Sequence, residues 1–140
     1  MMLRLCRVLA ALWWGGFATL AFVAVPVVFA VSADKVAAGH IAARLFDVQS
    51  YWTLGLGIVV LLVERLDPLC RARGFGRVLI LSLLAVVVNH WGVAPLIVTA
   101  RATGGNLALW HSLGSALIVV QFLAGAWINW RLSSRQSLFS

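Results

Sequence analysis

The chain has 140 residues, 63% of them hydrophobic and only 11% charged, with a mean hydropathy of +1.01. A soluble domain of this size has too little interior to hide so much apolar surface, so a water-soluble fold is excluded. The net charge is +7, but the basic residues stand at the ends of apolar runs and not in one patch, which excludes a nucleic-acid interface and suits membrane orientation.

The first apolar run extends from Val8 to Val31. As a helix it is about 36 Å long at 1.5 Å per residue, enough for a hydrocarbon core of about 30 Å. The preceding "MMLRLCR" and the later Val31-Ser32-Ala33 resemble a signal peptide with its cleavage site. The run exceeds a signal peptide's apolar region of about 7–15 residues, so the first span is expected to be retained. Gly15 and Gly16, with Ala11, Ala18 and Thr19 nearby, read as a surface for close helix packing. Pro26 removes a backbone donor and predicts a kink in the outer half of the span.

Ser32 or Asp34 is placed to cap the next helix. The second span is expected over 41–64, its helix beginning earlier because Val36, His40, Ala43 and Phe46 keep a helical period. "LDPLCRARGFG" reads as a loop from Pro68, Gly74 and Gly76. The third span is expected over 78–100, with Asn89 and His90 near its middle and a second kink at Pro95. "TGGN" predicts a tight turn into a fourth span over 107–130, and a short tail follows from about residue 131.

These elements make one domain, 1–140: an all-α, integral-membrane antiparallel four-helix bundle. With four spans both termini share one side. That side holds Arg4, Arg7, Arg65, Arg71, Arg73, Arg77, Arg131 and Arg135, against Lys35, Arg44 and Arg101 on the other. Such asymmetry predicts cytoplasmic termini in a bacterial inner membrane. Cys6 and Cys70 then lie where thiols stay reduced. Trp13, Trp127 and Trp130 read as an inner aromatic belt, and Tyr51, Trp52 and Trp110 as an outer one.

Polar side chains within the spans are candidates for function. At 100° per residue His90, Ala94, Ile97 and Arg101 share one face, with Asn89 one position round. His111, Ser115, Ile118, Phe122, Gly125 and Asn129 form a stripe on the fourth span that is expected to face the interior. His90 and His111 would then face one pocket opening outward, with His40 at its mouth. Two readings stay open: a small-ligand site built on His90, Asn89, Arg101, His111 and Ser115, or polar contacts that only join helices.

Metal binding wants three or four ligands at set spacing; three scattered histidines do not supply it, and no metal is expected. No cofactor is expected either, although a haem- or quinone-linked redox role is an alternative. Asp34, Lys35, Arg44 and Asp47 read as solvated pairs. No phosphate loop, Ser-His-Asp set or intramembrane carboxylate pair is present, which points away from an enzyme without closing the question. The partners expected are the lipid bilayer and further copies of the chain; an assembly subunit is a further alternative.

"LWWGGFATLAFVAVPVVF", "AAGHIAARLF", "NHWGVAPLIVTAR" and "LWHSLGS", in this order and spacing, resemble the transmembrane protein 205-like family, a bacterial four-span domain of unknown function. The likeness runs over roughly residues 8 to 130. It implies a four-span fold, and, through the family's association with platinum-drug resistance in animals, an export or resistance-type role. The Trp-Gly-Gly helix is also distantly similar to copper-resistance-type membrane proteins and to small haem-associated protoporphyrinogen oxidases. Those carry a His early in the first span, where this chain has Cys6, Arg7 and Val8.

Overall fold

A computed structural model describes residues 1–134, and every regular element among them is helical. Four long helices, α1 (Met2–Val31), α2 (Lys35–Leu66), α4 (Gly76–Thr103) and α5 (Leu107–Ser133), are each long and apolar enough to cross a membrane. A four-residue helix, α3 (Pro68–Arg71), lies between α2 and α4. Each long helix has at least 27 residues, about 40 Å at 1.5 Å per residue. All four outrun the bounds expected from the uncharged stretches, because a helix continues through its flanking arginines once its apolar part is packed. The tail expected from about residue 131 is helical as far as Ser133; its remainder lies outside the described residues.

Local chemistry sets the ends. Asp34 caps α2 by accepting from the Val36 amide at 2.8 Å, and Asn106 caps α5 by accepting from Leu109 at 3.0 Å. Gly104 ends α4 with a φ of 73°, a left-handed conformation that glycine takes without Cβ strain. The stretch read as a loop after α2 holds a helical turn, because Asp67 accepts from the Leu69 amide at 2.9 Å and Pro68 supplies the first helical position.

The prolines act differently from simple kinks. In α1 a π-helical turn, Leu20–Ala24, precedes Pro26, and in α4 another, Val88–Val93, precedes Pro95. The amides of Val25 and Ala94 reach back five residues to the Leu20 and Asn89 carbonyls. A wide turn of this kind draws aside the carbonyl that a proline ring would strike. Both helices thus continue through proline with one residue inserted.

α1 packs beside α2 and α5, and α4 packs beside the same two, so α1–α4 and α2–α5 are the diagonals. The tight core, including Cys6, Trp13, Val60, Phe75, Leu79 and Ile128, lies at the end that carries the chain termini. Close approach there uses Gly57, Gly76 and Gly125, where an added Cβ would lie 2.5 Å from Leu83, 2.9 Å from Glu64 and 2.6 Å from Trp14. Gly15 and Gly16 do not serve that purpose. Nothing lies within 4 Å of a Cβ placed on Gly15, and the nearest atom to one on Gly16 is 3.9 Å away. Trp13 is buried in this core and is no interfacial belt residue. In contrast, α1 buries no residue between Leu20 and Val31, so the opposite end of the bundle is loosely covered.

Candidate functional site

Where the tight and loose halves meet, each helix brings a residue to one level. Gln49, Ser50 and Thr53 come from α2, Asn89 from α4, Gln121 and Ile118 from α5 and Phe17 from α1. They line a cavity of about 20 Å³, room for about one water molecule. Gln49, Thr53 and Gln121 are buried. Gln49 Nε2 donates to Thr53 Oγ1 at 3.1 Å. Asn89 Oδ1 would lie 3.3 Å from a Cβ on Gly114, so the amide is turned toward α5.

The layer is central along the bundle. Asn89 and His90 straddle the midpoint of the 28-residue α4, and Ser50 stands at the midpoint of the 32-residue α2. Tyr51 and Trp52 are therefore mid-helix residues and not an outer belt. The π-helical turn contains both Asn89 and His90, which as neighbours in sequence project onto different flanks of α4.

Asn89 faces the cavity. His90 faces α2, where its Nδ1 lies 3.5 Å from Asp47 Oδ1. Asp47 also meets Arg44 at 3.9 Å. Tyr51 stands edge-to-face with the imidazole at a centroid distance of 5.1 Å, Trp91 packs on it at 4.4 Å, and the two aromatic rings also meet each other at 6.2 Å. Asp47 is thus not one of a set of solvated pairs at the helix end. It sits about 5 Å from the centre of α2 by the helical rise, and it is the acidic group that the histidine meets.

The expected meeting of His90 with His111 does not occur. His111 and Ser115 are exposed on α5, and only the inner part of their stripe turns inward. There Gly125 takes the Trp14 ring, and Asn129 Nδ2 donates to Ala10 O at 3.2 Å and to Gly125 O at 2.9 Å. Arg101 stands about 16 Å along α4 from His90 by the helical rise, beside Gly39. His40 is exposed, in a shallow apolar groove with Ile41, Arg44, Leu45 and Val48. Gln49, Thr53 and Gln121 are not among the candidates read from the spans, which centre on His90, Asn89, Arg101, His111 and Ser115. The sequence signal was available: an amide or hydroxyl amid a long apolar run is itself a buried polar group in need of a partner.

Arginines close the terminal end. Arg7 Nε donates to Leu132 O at 2.7 Å and Arg131 Nε to Arg73 O at 3.0 Å, while Arg73 reaches the Ser134 carbonyl. Cationic donors on the last carbonyls of a helix oppose its dipole favourably. Beneath them Cys6 donates to the Val60 carbonyl at 3.9 Å and Cys70 to Asp67 Oδ2 at 3.6 Å, and both thiols are fully covered. No group of three or more His, Cys, Asp or Glu among the described residues is arranged to hold a metal.

No curated protein and no solved structure matches the chain. Residues 8–106 match the family described as Domain of unknown function (DUF4149), a stretch that takes in α1, α2 and α4 entire apart from the first turns of α1. A four-helix, multi-pass membrane protein built around a central polar layer, this chain belongs to the DUF4149 family.

Proposed function

We propose that this is a non-enzymatic membrane protein whose central polar layer binds a small ligand or supports its passage, in an export or resistance-type role. One observation carries the reading. Asn89 stands between a small polar cavity on one flank and the His90–Asp47 pair on the other, at the mid-level of the helices. Polar and ionisable groups at that depth are costly and are commonly kept for function. The cavity sets a scale: a species of about one water's size fits without rearrangement. The loosely covered half of the bundle offers the approach. The likeness to transmembrane protein 205-like proteins supports the same role.

The arginine distribution supports cytoplasmic termini in a bacterial inner membrane, with the loosely covered half toward the outside. The test is a comparison of co-purified mass and of ligand flux in vesicles, between the parent and Asn89→Leu and Gln121→Leu variants. Loss of the bound species or of flux is expected. Variants that fold and hold or move everything the parent does would sink the reading.

A second reading is a lipid-soluble redox partner, a haem or a quinone. Its support is the aromatic setting of His90, clustered with Tyr51 and Trp91. An optical spectrum of the purified protein with a Soret band, or a bound quinone on extraction, would favour it over the first.

A further inference from the structure

The outer flank of α2 carries groups that lipid cannot partner. Arg44 is 88% exposed and Asp47 40% exposed, and both lie in a helix of crossing length. Arg44 is about 10 Å from the centre of α2 and Asp47 about 5 Å, by the helical rise; a bilayer core extends about 15 Å each way. Their mutual contact of 3.9 Å, to Asp47 Oδ2, is too long for a hydrogen bond, so the guanidinium keeps free capacity, as does Oδ2, while Oδ1 faces His90. Below them the exposed positions Val48, Tyr51, Gly55, Ile58 and Leu62 continue the line from Arg44. The spacing is alternately four and three residues, that of a helix–helix seam. At its middle a Cβ on Gly55 would meet nothing within 4 Å, so a neighbouring backbone can come close there.

We infer that α2 is the contact surface between two copies of this chain, packed seam to seam. The chemistry favours a second copy over an unrelated helix. Two copies inserted with the same topology are related by an axis along the membrane normal, so equivalent residues share one depth. Arg44 and Asp47 are oppositely charged and about 4.5 Å apart in depth by the rise per residue. Arg44 of one copy therefore reaches Asp47 of the other, and the symmetry makes that pair twice. Charges that face lipid in a single chain become paired and shielded in two, as intramembrane ionisable groups generally are. This inference shares Asp47 with the ligand reading but does not depend on it, since it rests on the exposed line of α2 from Arg44 to Leu62.

The test uses the full chain in lipid vesicles, with energy transfer between two separately labelled pools as the readout of association. The parent should associate. Gly55→Leu, whose side chain enters open space in the single chain, should weaken association by about tenfold or more by holding the helices apart. Gly15→Leu also enters open space but lies off the seam, and should change nothing. Arg44→Asp and Asp47→Arg should each fail to self-associate, and their mixture should associate again. A monomeric parent, as when Arg44 merely reaches a lipid phosphate, overturns the inference. So does a dimer indifferent to Gly55→Leu, or charge variants whose mixture stays monomeric. Asn89→Leu should leave association intact, which separates this outcome from that of the ligand test.

Discussion

His90 meets Asp47, and not the second histidine that its helix position suggests. The Nδ1–Oδ1 separation of 3.5 Å joins α4 to α2 at the centre of the bundle, with Tyr51 edge-on to the imidazole. A double-mutant cycle with His90→Leu and Asp47→Leu, followed by unfolding in mixed micelles, should return a coupling of about 1 kcal/mol, the scale of polar pairs between membrane helices. A coupling indistinguishable from zero would mean that the two groups are neighbours without an interaction.

How much of this was legible beforehand depends on what a membrane sequence can encode. Span number, a cap at Ser32 or Asp34, the turn at "TGGN", and the central position of Asn89 and His90 follow from apolar run length and turn chemistry. Which face of each helix turns inward does not. In water the apolar stripe marks the interior, but in lipid both the packed and the exposed faces are apolar, so His111 and Gln121 look equally eligible. Gln121 is buried and His111 exposed. The π-helical turns add a second obstacle: each inserts a residue ahead of a proline and shifts the angular register of everything beyond it. His90 faces Asp47, and Arg101, about 16 Å farther along α4 by the helical rise, lies beside Gly39 of the same helix α2. Asp47 itself was hidden by Arg44, because a charge three residues away reads as a surface pair.

The packing of Trp14 on Gly125 predicts a large effect from a single methyl group. A Cβ there would sit 2.6 Å from Trp14 Cδ1 and 3.3 Å from Cγ. The ring cannot easily move: its Nε1 donates to Phe122 O at 3.1 Å, and its face lies 5.4 Å from the Phe122 ring. Gly125→Ala should therefore cost about 1–3 kcal/mol, the scale of overpacking. Gly57→Ala meets Leu83 Cδ2 at 2.5 Å, but that atom ends a flexible side chain, and the loss should be smaller. Equal destabilisation of the two variants in the same unfolding assay would contradict this ranking.

The buried Gln49–Thr53 bond predicts an asymmetry between single and paired replacements. Thr53→Val keeps the shape and removes the hydroxyl that accepts from Gln49 at 3.1 Å. The Gln49 amide is then left beside a cavity that holds about one water molecule. The expected cost is about 1–2 kcal/mol, that of a buried polar group stripped of its partner. Adding Gln49→Leu removes the orphaned amide and should recover part of the loss. A double variant less stable than Thr53→Val alone would show that Gln49 has a more important partner than Thr53.

Cys70 provides a pH-dependent prediction at the terminal end of the bundle. It lies in α3, outside the long helices, with its side chain fully covered. Burial pushes its thiol above the ordinary value, the neighbouring Cys6 thiol offsets part of this, and the nearby Asp67 carboxylate, which accepts from it at 3.6 Å, adds to the rise. In the unfolded chain the thiol titrates near its ordinary value of about 8.5. The folded form thus holds its proton more tightly than the unfolded form. Its contribution to stability is complete below that pH and is lost progressively as pH rises through the folded value. Unfolding free energy should be level from about pH 7 to 8 and fall above about pH 9, and Cys70→Ala should make that fall shallower. Alkylation should report the same protection: at pH 8 Cys70 should react with maleimide far more slowly than a free thiol, since the thiolate is the nucleophile. Rapid modification of Cys70 in the folded protein, with stability unchanged to pH 10, would show that the thiol pair is open to water.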